Sequence, residues 1–214
     1  EIAVASTKAY TTQMVILNLM AIDFAYKFGK ITKDEAVEDI KKLYDVEQSI
    51  QKMLEYDEKI KNAADKIKDS ESMFYLGRGL DYVIAVEGAL KSKEISYIHS
   101  EAFASGELKH GTIALITDGV PVVVNVTQSG LFEKSVSNIK EVTSRGAYVI
   151  AIAKEGNTVV EEVADEVFYI PDVEDDYAGF PTIVIHQLLA YYLSKLKGND
   201  VDKPRNLAKS VTVE

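Results

Sequence analysis

Cysteine and tryptophan are absent from this chain of 214 residues, and histidine occurs only three times. Without cysteine, the chain cannot use disulfide scaffolds, thiol catalysis, zinc fingers or iron–sulfur ligation. The three histidines, His99, His110 and His186, are too scattered along the sequence to suggest a metal cage. We therefore expect no metal site. The lack of cysteine is also compatible with a reducing compartment.

Long apolar runs are missing as well. No run approaches the roughly 20 residues that a membrane-spanning helix needs, and the first residues do not resemble a signal peptide. We therefore expect a cytoplasmic protein with no membrane partner. Because the sequence starts with Glu1 rather than Met, we also expect it to be part of a longer polypeptide.

Positive charge is scarce. Lys and Arg number 24 against 34 Asp and Glu, which gives a net charge of −10. The sequence contains no run rich in Lys and Arg. The electrostatic field of a protein with this negative charge repels a polyanion, so a nucleic-acid partner is not expected.

Helical periodicity fills the first 68 residues. Dense apolar positions predict a largely buried helix over residues 7–28. Thr32 and Glu35 form a capping box that predicts the start of an amphipathic helix, which continues to about Tyr56. A third helix is predicted over residues 57–68.

Beyond residue 68, short apolar runs alternate with helical stretches. Strands that are apolar throughout and separated by helices indicate a parallel sheet covered on both faces. The predicted strands are residues 73–76, 121–126, 148–153 and 166–170, with 113–116 as a fifth strand or a short helix. The predicted helices are residues 81–98, 131–144, 158–164 and 182–197.

The fold class is therefore α/β, a three-layer α/β/α sandwich with a parallel sheet. Residues 1–68 form a helical arm and residues 69–198 form the sandwich. Residues 199–214 form a tail whose recurring apolar side chains predict that it docks onto the rest of the chain.

Three charged residues recur on the helix that follows the first strand. Glu87, Lys91 and Glu94 are spaced four and three apart, which stacks them on one helical face. Ordinary surface pairing is one interpretation. The other is functional: ligands of open α/β sheets bind at the carboxyl ends of the strands, so we expect these charges to face that crevice. A carboxylate there could carry a proton between adjacent carbons while Lys91 stabilises charge on oxygen.

Two loops resemble ligand-binding turns. Gly77 and Gly79 match the first glycines of a dinucleotide fingerprint, but Tyr82 replaces the third, so a tight turn is the better interpretation. Residues 127–130, Thr-Gln-Ser-Gly, lie between a predicted strand and a helix, where N–H groups and hydroxyls attract anions. A phosphate loop and a turn with a helix cap both remain open there.

Further candidates for chemistry are a loop histidine and a tail lysine. His110 has a side chain suited to proton transfer at a sugar ring oxygen near neutral pH, although an incidental loop histidine is the alternative. His99 is expected to end a helix, and His186 to be a satisfied core histidine. A pocket around Lys209 would lower the pKa of its amine and free it to form a Schiff base. The alternative for Lys209 is a solvated charge.

Three blocks of sequence carry a resemblance to a known family. They are EIAVASTKAYTTQ (residues 1–13), LGRGLDYVIAVEGALKSKEISYIHSEAFASGELKHG (76–111) and DVDKPRNLAKSVTVE (200–214). In this order they resemble the C-terminal part of the glutamine:fructose-6-phosphate amidotransferases, also called glucosamine-6-phosphate synthases, of the sugar isomerase (SIS) superfamily. The similarity runs over essentially the whole chain. Thr112 departs from the family, which usually has Pro there.

The resemblance implies roles for the residues that match. Glu94 would move a proton between C1 and C2 of the sugar with support from Lys91. His110 would assist ring opening across a homodimer interface, and Lys209 would form a Schiff base with the open-chain ketose. The residues implied to bind fructose 6-phosphate or glucosamine 6-phosphate are Val4, Ser6, Glu87 and Ala208. No cofactor is implied.

The resemblance also implies that two partner domains belong to the whole protein, a glutaminase domain and a first SIS domain. This chain would then hold the second SIS domain and be inactive alone. An SIS-type aminosugar-phosphate deaminase or deglycase is an alternative, and the terminal RNLAKSVTVE argues against it. A non-catalytic sugar-phosphate-binding SIS module is another, and the combination of Glu94, His110 and Lys209 argues against that.

Overall fold

A computed structural model describes residues 3–210 of the chain. Within this range, the α-helices are α1 (Lys8–Lys27), α2 (Lys33–Leu54), α3 (Asp57–Ile67), α4 (Leu80–Ser96), α5 (Phe132–Thr143) and α6 (Gly179–Leu196). The strands are β1 (Ser72–Gly77), β2 (His99–Ala104), β3 (Pro121–Val126), β4 (Tyr148–Lys154) and β5 (Glu166–Ile170). Short 3₁₀ helices cover Ser105–His110, Thr112–Leu115, Ser129–Leu131 and Thr158–Glu162.

The five strands form one parallel sheet in the order β2-β1-β3-β4-β5. Every residue of the central strand β3, Pro-Val-Val-Val-Asn-Val, is buried. Strands apolar on both faces are stable only when both faces are covered, which a parallel sheet with crossover helices achieves. The predicted α/β sandwich is therefore confirmed.

Each face of the sheet has its own core. Alternate residues of β1 point to opposite faces, so Met73 and Tyr75 pack with α3, α4 and α6, and Phe74 and Leu76 pack on the other side with α5. Of the predicted arm, α3 therefore belongs to the sandwich, while α2 contacts α6 from outside and α1 contacts α2.

The turn that opens α4 is as tight as expected. A Cβ on Gly77 would lie 2.3 Å from the backbone carbon of Asp81, and Gly79 has φ +57°. Only glycine fits the first position, and glycine adopts the second without strain. The start of α2 is also confirmed, because Thr32 and Glu35 form a reciprocal capping box.

Three predictions from the sequence are wrong. The fifth strand is His99–Ala104, so His99 begins a strand and does not end a helix. Of the two alternatives for residues 113–116, the short helix is confirmed, because a 3₁₀ helix covers Thr112–Leu115. β2 lies at the sheet edge and is only partly buried, so it lacks the apolar run that marks a central strand. The stretch predicted as a helix over residues 158–164 contains a short 3₁₀ helix.

The third error concerns α1, which was expected to be largely buried. No side chain of α1 is buried, and the exposed apolar residues include Ile16, Leu17, Met20 and Phe24. The helix contributes only Met14 and Val15 to a small cluster around Phe180. Among residues 3–210, we find no helix with the length and apolar character needed to cross a membrane.

Candidate functional site

The three charged residues of α4 form one ionic cluster. Lys91 Nζ lies 2.8 Å from Oε2 of Glu94 and 3.3 Å from Oε1 of Glu87. The Lys91 side chain is only 5% exposed, so it is not an ordinary surface pair. The contact with Glu94 is ionic, without the geometry of a hydrogen bond. The two carboxylates give the buried ammonium the opposite charges that it needs as partners.

Small residues bring α4 close to its neighbours. Ala85, Gly88 and Ala89 line its buried side, and the ring of His186 on α6 lies directly against Gly88. His186 is fully buried, and its Nε2 lies 2.9 Å from Oδ1 of Asn125. Burial lowers the pKa of His186 to about 3, so this histidine is neutral and belongs to the core, as expected. It is not fully satisfied, because its Nδ1 has no hydrogen-bond partner among the described residues.

Burial also changes the acidity of Glu87. It raises the pKa of the carboxyl group, the Lys91 charge opposes this, and the Glu94 charge adds to it. Tyr10 on α1 lies close enough for the Glu87 charge to raise its pKa, after the larger effect of burial. Tyr10 was not recognised in the sequence, because nothing there shows that α1 lies beside α4.

The cluster does not face the crevice at the carboxyl ends of the strands, so that expectation is wrong. Leu80 begins α4 at this edge, whereas Glu94 lies in the last turn, about 20 Å away at roughly 1.5 Å per residue. A crossover helix returns the chain to the amino edge of the sheet before β2 begins. The edge of the sheet near which a charged residue lies depends on how far along α4 it stands. The turn before α4 fixes only where the helix begins.

At the amino edge, Glu94 lines a cleft of about 350 Å³ together with the tail. The other lining residues are Leu90, Lys93, Tyr97, Arg205, Asn206 and Leu207. Arg205 lies over the Tyr97 ring at 4.1 Å from its centroid, and its backbone N–H donates to the Tyr97 hydroxyl at 2.9 Å. Neither Tyr97 nor Arg205 was recognised as a site residue from the sequence. The available signal was an aromatic residue just after α4 and an arginine in the tail.

The two ends of the described chain meet beside this cleft. The N–H of Val4 donates to the Asp202 carbonyl at 3.1 Å, and Lys209 Nζ donates to the Ala3 carbonyl at 2.8 Å. Ala5 packs with Ile95, the neighbour of Glu94. The tail therefore docks, as expected, but Lys209 is exposed within the single chain and not enclosed in a pocket.

Other predicted sugar-binding residues lie in the same two segments. Val4 and Ser6 are half-buried ahead of α1, and Ala208 is exposed next to Lys209. The tail residues 211–214 lie outside the described part of the chain.

His110 lies elsewhere in the chain. It ends the 3₁₀ helix that follows the carboxyl end of β2, is 75% exposed, and lies 3.9 Å from a Glu107 oxygen. Since β2 is six residues long, about 20 Å of strand separates it from the amino edge. One chain does not bring His110 to Glu94.

The carboxyl edge of the sheet carries the loop of residues 127–130. Its backbone N–H groups donate to the carboxylates of Asp81 and Asp175. Among residues 3–210, no group of three or more His, Cys, Asp or Glu side chains is arranged to hold a metal ion.

The family model described as "SIS domain" matches residues 66–196, more than half of the chain. The chain belongs to the SIS domain family. This assignment agrees with the five parallel strands and with the helices on both faces of the sheet.

Relatives of this SIS domain protein extend the comparison. Over its whole length it is 55% identical to "Glutamine--fructose-6-phosphate aminotransferase [isomerizing]" of Caldanaerobacter subterraneus, and it spans 35% of that protein. It resembles the structure of the C-terminal domain of glucosamine-fructose-6-phosphate aminotransferase from Francisella tularensis, with TM-score 0.89 and 38% identity over 95% of this chain and 57% of that one.

A second solved structure shares the fold alone. Glucosamine-6-phosphate deaminase from Thermotoga maritima matches with TM-score 0.70 and 23% identity, over 98% of this chain and 58% of that one. The sequence resemblance to the C-terminal part of the aminotransferases is thus confirmed, and the chain corresponds to about a third of the curated relatives that it matches.

Proposed function

We propose that this SIS domain chain forms the isomerase part of a glutamine–fructose-6-phosphate aminotransferase, which converts fructose 6-phosphate and ammonia into glucosamine 6-phosphate. The observation that carries the proposal is the buried Lys91 ammonium 2.8 Å from Glu94, a carboxylate lining the cleft that the tail completes. The identity with the Caldanaerobacter protein supports it.

Glu94 is the proposed base. Lys209 attacks C2 of the open-chain ketose, water leaves, and an imine forms; ammonia then displaces the lysine and leaves an imine of ammonia at C2. Glu94 removes a proton from C1 and returns it to C2, while the O1 hydroxyl loses a proton and the imine nitrogen gains one, which yields the 2-amino aldehyde. Every atom is accounted for by the ketose, ammonia and one released water.

Lys91 has a supporting role in this scheme. Its ammonium lies between Glu94 and Glu87, where it orients the Glu94 carboxylate for proton transfer. It also places positive charge near O1 of the sugar, which gives up its proton as the aldehyde forms. We propose that Val4, Ser6, Glu87 and Ala208 line the sugar.

The proposed enzyme is a homodimer in which His110 assists ring opening in the site of the other copy. The support is geometric, since His110 is exposed at the edge of the sheet opposite to Glu94 within one chain. A second copy is the simplest source of an imidazole for the Glu94 site.

The remaining partners are a first SIS domain and a glutaminase domain that supplies ammonia, in a cytoplasmic enzyme. Residues 1–68 would be the end of the first SIS domain and linker helices, 69–198 the second SIS domain and 199–214 the catalytic tail. The apolar surface of α1 fits this arrangement: it lines a cleft of about 690 Å³ with Leu80 and Val83 of α4. Such a surface needs a covering partner.

A chimera tests the proposal. This chain replaces the matching 35% of the Caldanaerobacter enzyme, and glutamine-dependent formation of glucosamine 6-phosphate is measured. We expect activity in the chimera and a fall of about 10²–10⁴-fold in the Glu94→Gln variant. Glu101→Gln, which changes an exposed carboxylate of β2, is the control and should keep full activity.

Two results would contradict the proposal. One is a folded, inactive chimera; the other is a Glu94→Gln chimera as active as the control. Glutamine-dependent synthesis by this chain alone would refute the expectation that it requires the remaining domains.

A further inference from the structure

The loop of residues 127–130 has the donors of an anion-binding site. It follows β3 at the carboxyl edge of the sheet and leads into α5. Consecutive N–H groups at such a position, with hydroxyls and a cation nearby, form the concave donor sets that bind phosphate groups. The question is what these donors bind in this chain.

Asp175, in the segment between β5 and α6, accepts the donors on the outer side of the loop. Ser129 donates to it twice, from its N–H at 2.9 Å and from its hydroxyl at 2.7 Å. Lys154, at the end of β4, donates its ammonium to the same carboxylate at 2.5 Å. The side-chain amide of Gln128 adds a bond to the Asp175 carbonyl at 3.2 Å.

Asp81 accepts the donors on the inner side of the loop. The N–H groups of Thr127 and Gln128 lie 2.8 and 3.3 Å from Oδ2 of Asp81, and the Thr127 hydroxyl donates to Oδ1. Together the two carboxylates accept from three consecutive N–H groups. The two carboxylates differ in exposure. Asp81 is 2% exposed, whereas the side chain of Asp175 is 35% exposed on the solvent side of the loop.

The Asp175 carboxylate and the Lys154 ammonium carry the opposite charges that an anion and its binding site would have. Lys154 is only 4% exposed, and a buried ammonium needs a negative partner. Burial would raise the pKa of Asp175, but the bonds from Lys154 and Ser129 outweigh it and hold the pKa below its ordinary value. Asp175 is therefore ionised at neutral pH.

We infer that the loop of residues 127–130 is a phosphate-type anion site that Asp175 occupies as a built-in ligand. The native chain therefore binds no phosphate group there, and removal of the Asp175 carboxylate opens the site to one. Ser129 and Lys154 would then hold the phosphate. This inference is independent of the proposed catalytic site, which lies at the opposite edge of the sheet.

The test is a titration with inorganic phosphate at constant ionic strength, followed through the Ser129 amide signal in ¹H–¹⁵N NMR spectra. We expect saturable binding in Asp175→Ala and no saturable change in the native chain at phosphate concentrations up to at least about ten times the Kd of that variant. Phosphate should also raise the melting temperature of this variant only. Asp176→Asn, which removes a neighbouring exposed charge, is the control and should behave as the native chain.

Further variants keep the test decisive. Asp175→Ser is a second way to empty the site if the alanine variant does not fold, and Lys154→Met added to Asp175→Ala should abolish phosphate binding. A parallel titration with fructose 6-phosphate shows whether the opened site takes a free phosphate only or also one attached to a sugar; either supports the inference.

Three outcomes would overturn it. The first is saturable phosphate binding at Ser129 in the native chain with the affinity of Asp175→Ala. The second is a folded Asp175→Ala and a folded Asp175→Ser that both fail to bind. The third is binding that survives the loss of Lys154.

Discussion

Gly88 on α4 faces His186 on α6 so closely that a Cβ at position 88 would lie 2.7 Å from Cγ of the imidazole. Glu87 precedes this contact and Lys91 follows it by one turn. The glycine allows a buried ring to lie against the helix backbone, and the ring in turn contacts Asn125 of the central strand. This contact fixes the distance of the charged helix from the sheet.

Gly88→Ala tests this contact. The added methyl group must displace the buried ring, so we expect a loss of about 1–3 kcal/mol in the free energy of unfolding, despite the helix preference of alanine. Urea denaturation measures it. Gly130→Ala is the control, since a Cβ there meets nothing within 4 Å. Equal stability of the two variants would count against a tight contact.

His186 should make the chain sensitive to acid. The unfolded chain takes up a proton on this histidine near pH 6.5, whereas the folded chain does so only near pH 3. Between these values acid favours unfolding, and its contribution at pH 5 is a loss of about 2 kcal/mol relative to pH 7.5. Denaturation of His186→Gln over the same range should show a smaller loss. An unchanged pH slope would mean that another group causes it.

The buried ion pairs of α4 predict a pKa change. Lys91 lowers the pKa of Glu87, while burial and Glu94 raise it. Lys91→Met should therefore raise the pKa of Glu87 further, which ¹³C NMR of the carboxyl group reports. Lys91→Arg keeps the charge and should leave the pKa nearer its native value. The interpretation fails if the Met and Arg variants titrate alike.

Sharing of the site between two subunits has a distinctive signature. In the chimera, Glu94→Gln and His110→Gln should each be severely impaired. Co-expressed, they form mixed dimers in which one of two sites has both native residues, so about a quarter of the full activity should return. No recovery despite subunit mixing would place His110 outside the site of the other copy.

The cap of α2 has a measurable effect on stability. The Thr32 side chain accepts from the Glu35 N–H, and Glu35 accepts in return from the Thr32 N–H. Thr32→Ala should cost about 1 kcal/mol in thermal or urea unfolding. Thr12→Ala, which removes a hydroxyl bonded only to carbonyls of its own helix, should be neutral by comparison.

How much the sequence alone could predict depends on the kind of residue. The central strands were predictable because their apolar residues must be covered on both faces. The edge strand beginning at His99 was not, since partial exposure removes the apolar signal. The spacing of Glu87, Lys91 and Glu94 predicted that they share a face of the helix, but not that the face is buried near the amino edge.

By itself, the sequence determined the periodicities, the tight turn at Gly77 and Gly79, and the order of the α-helices and of four of the five strands, because these depend on local geometry. Only the tertiary structure decided that Val4 and Asp202 meet beside Glu94 and that Asp175 fills the loop at Ser129. Those contacts join residues far apart in the chain, and their geometry depends on how the layers pack.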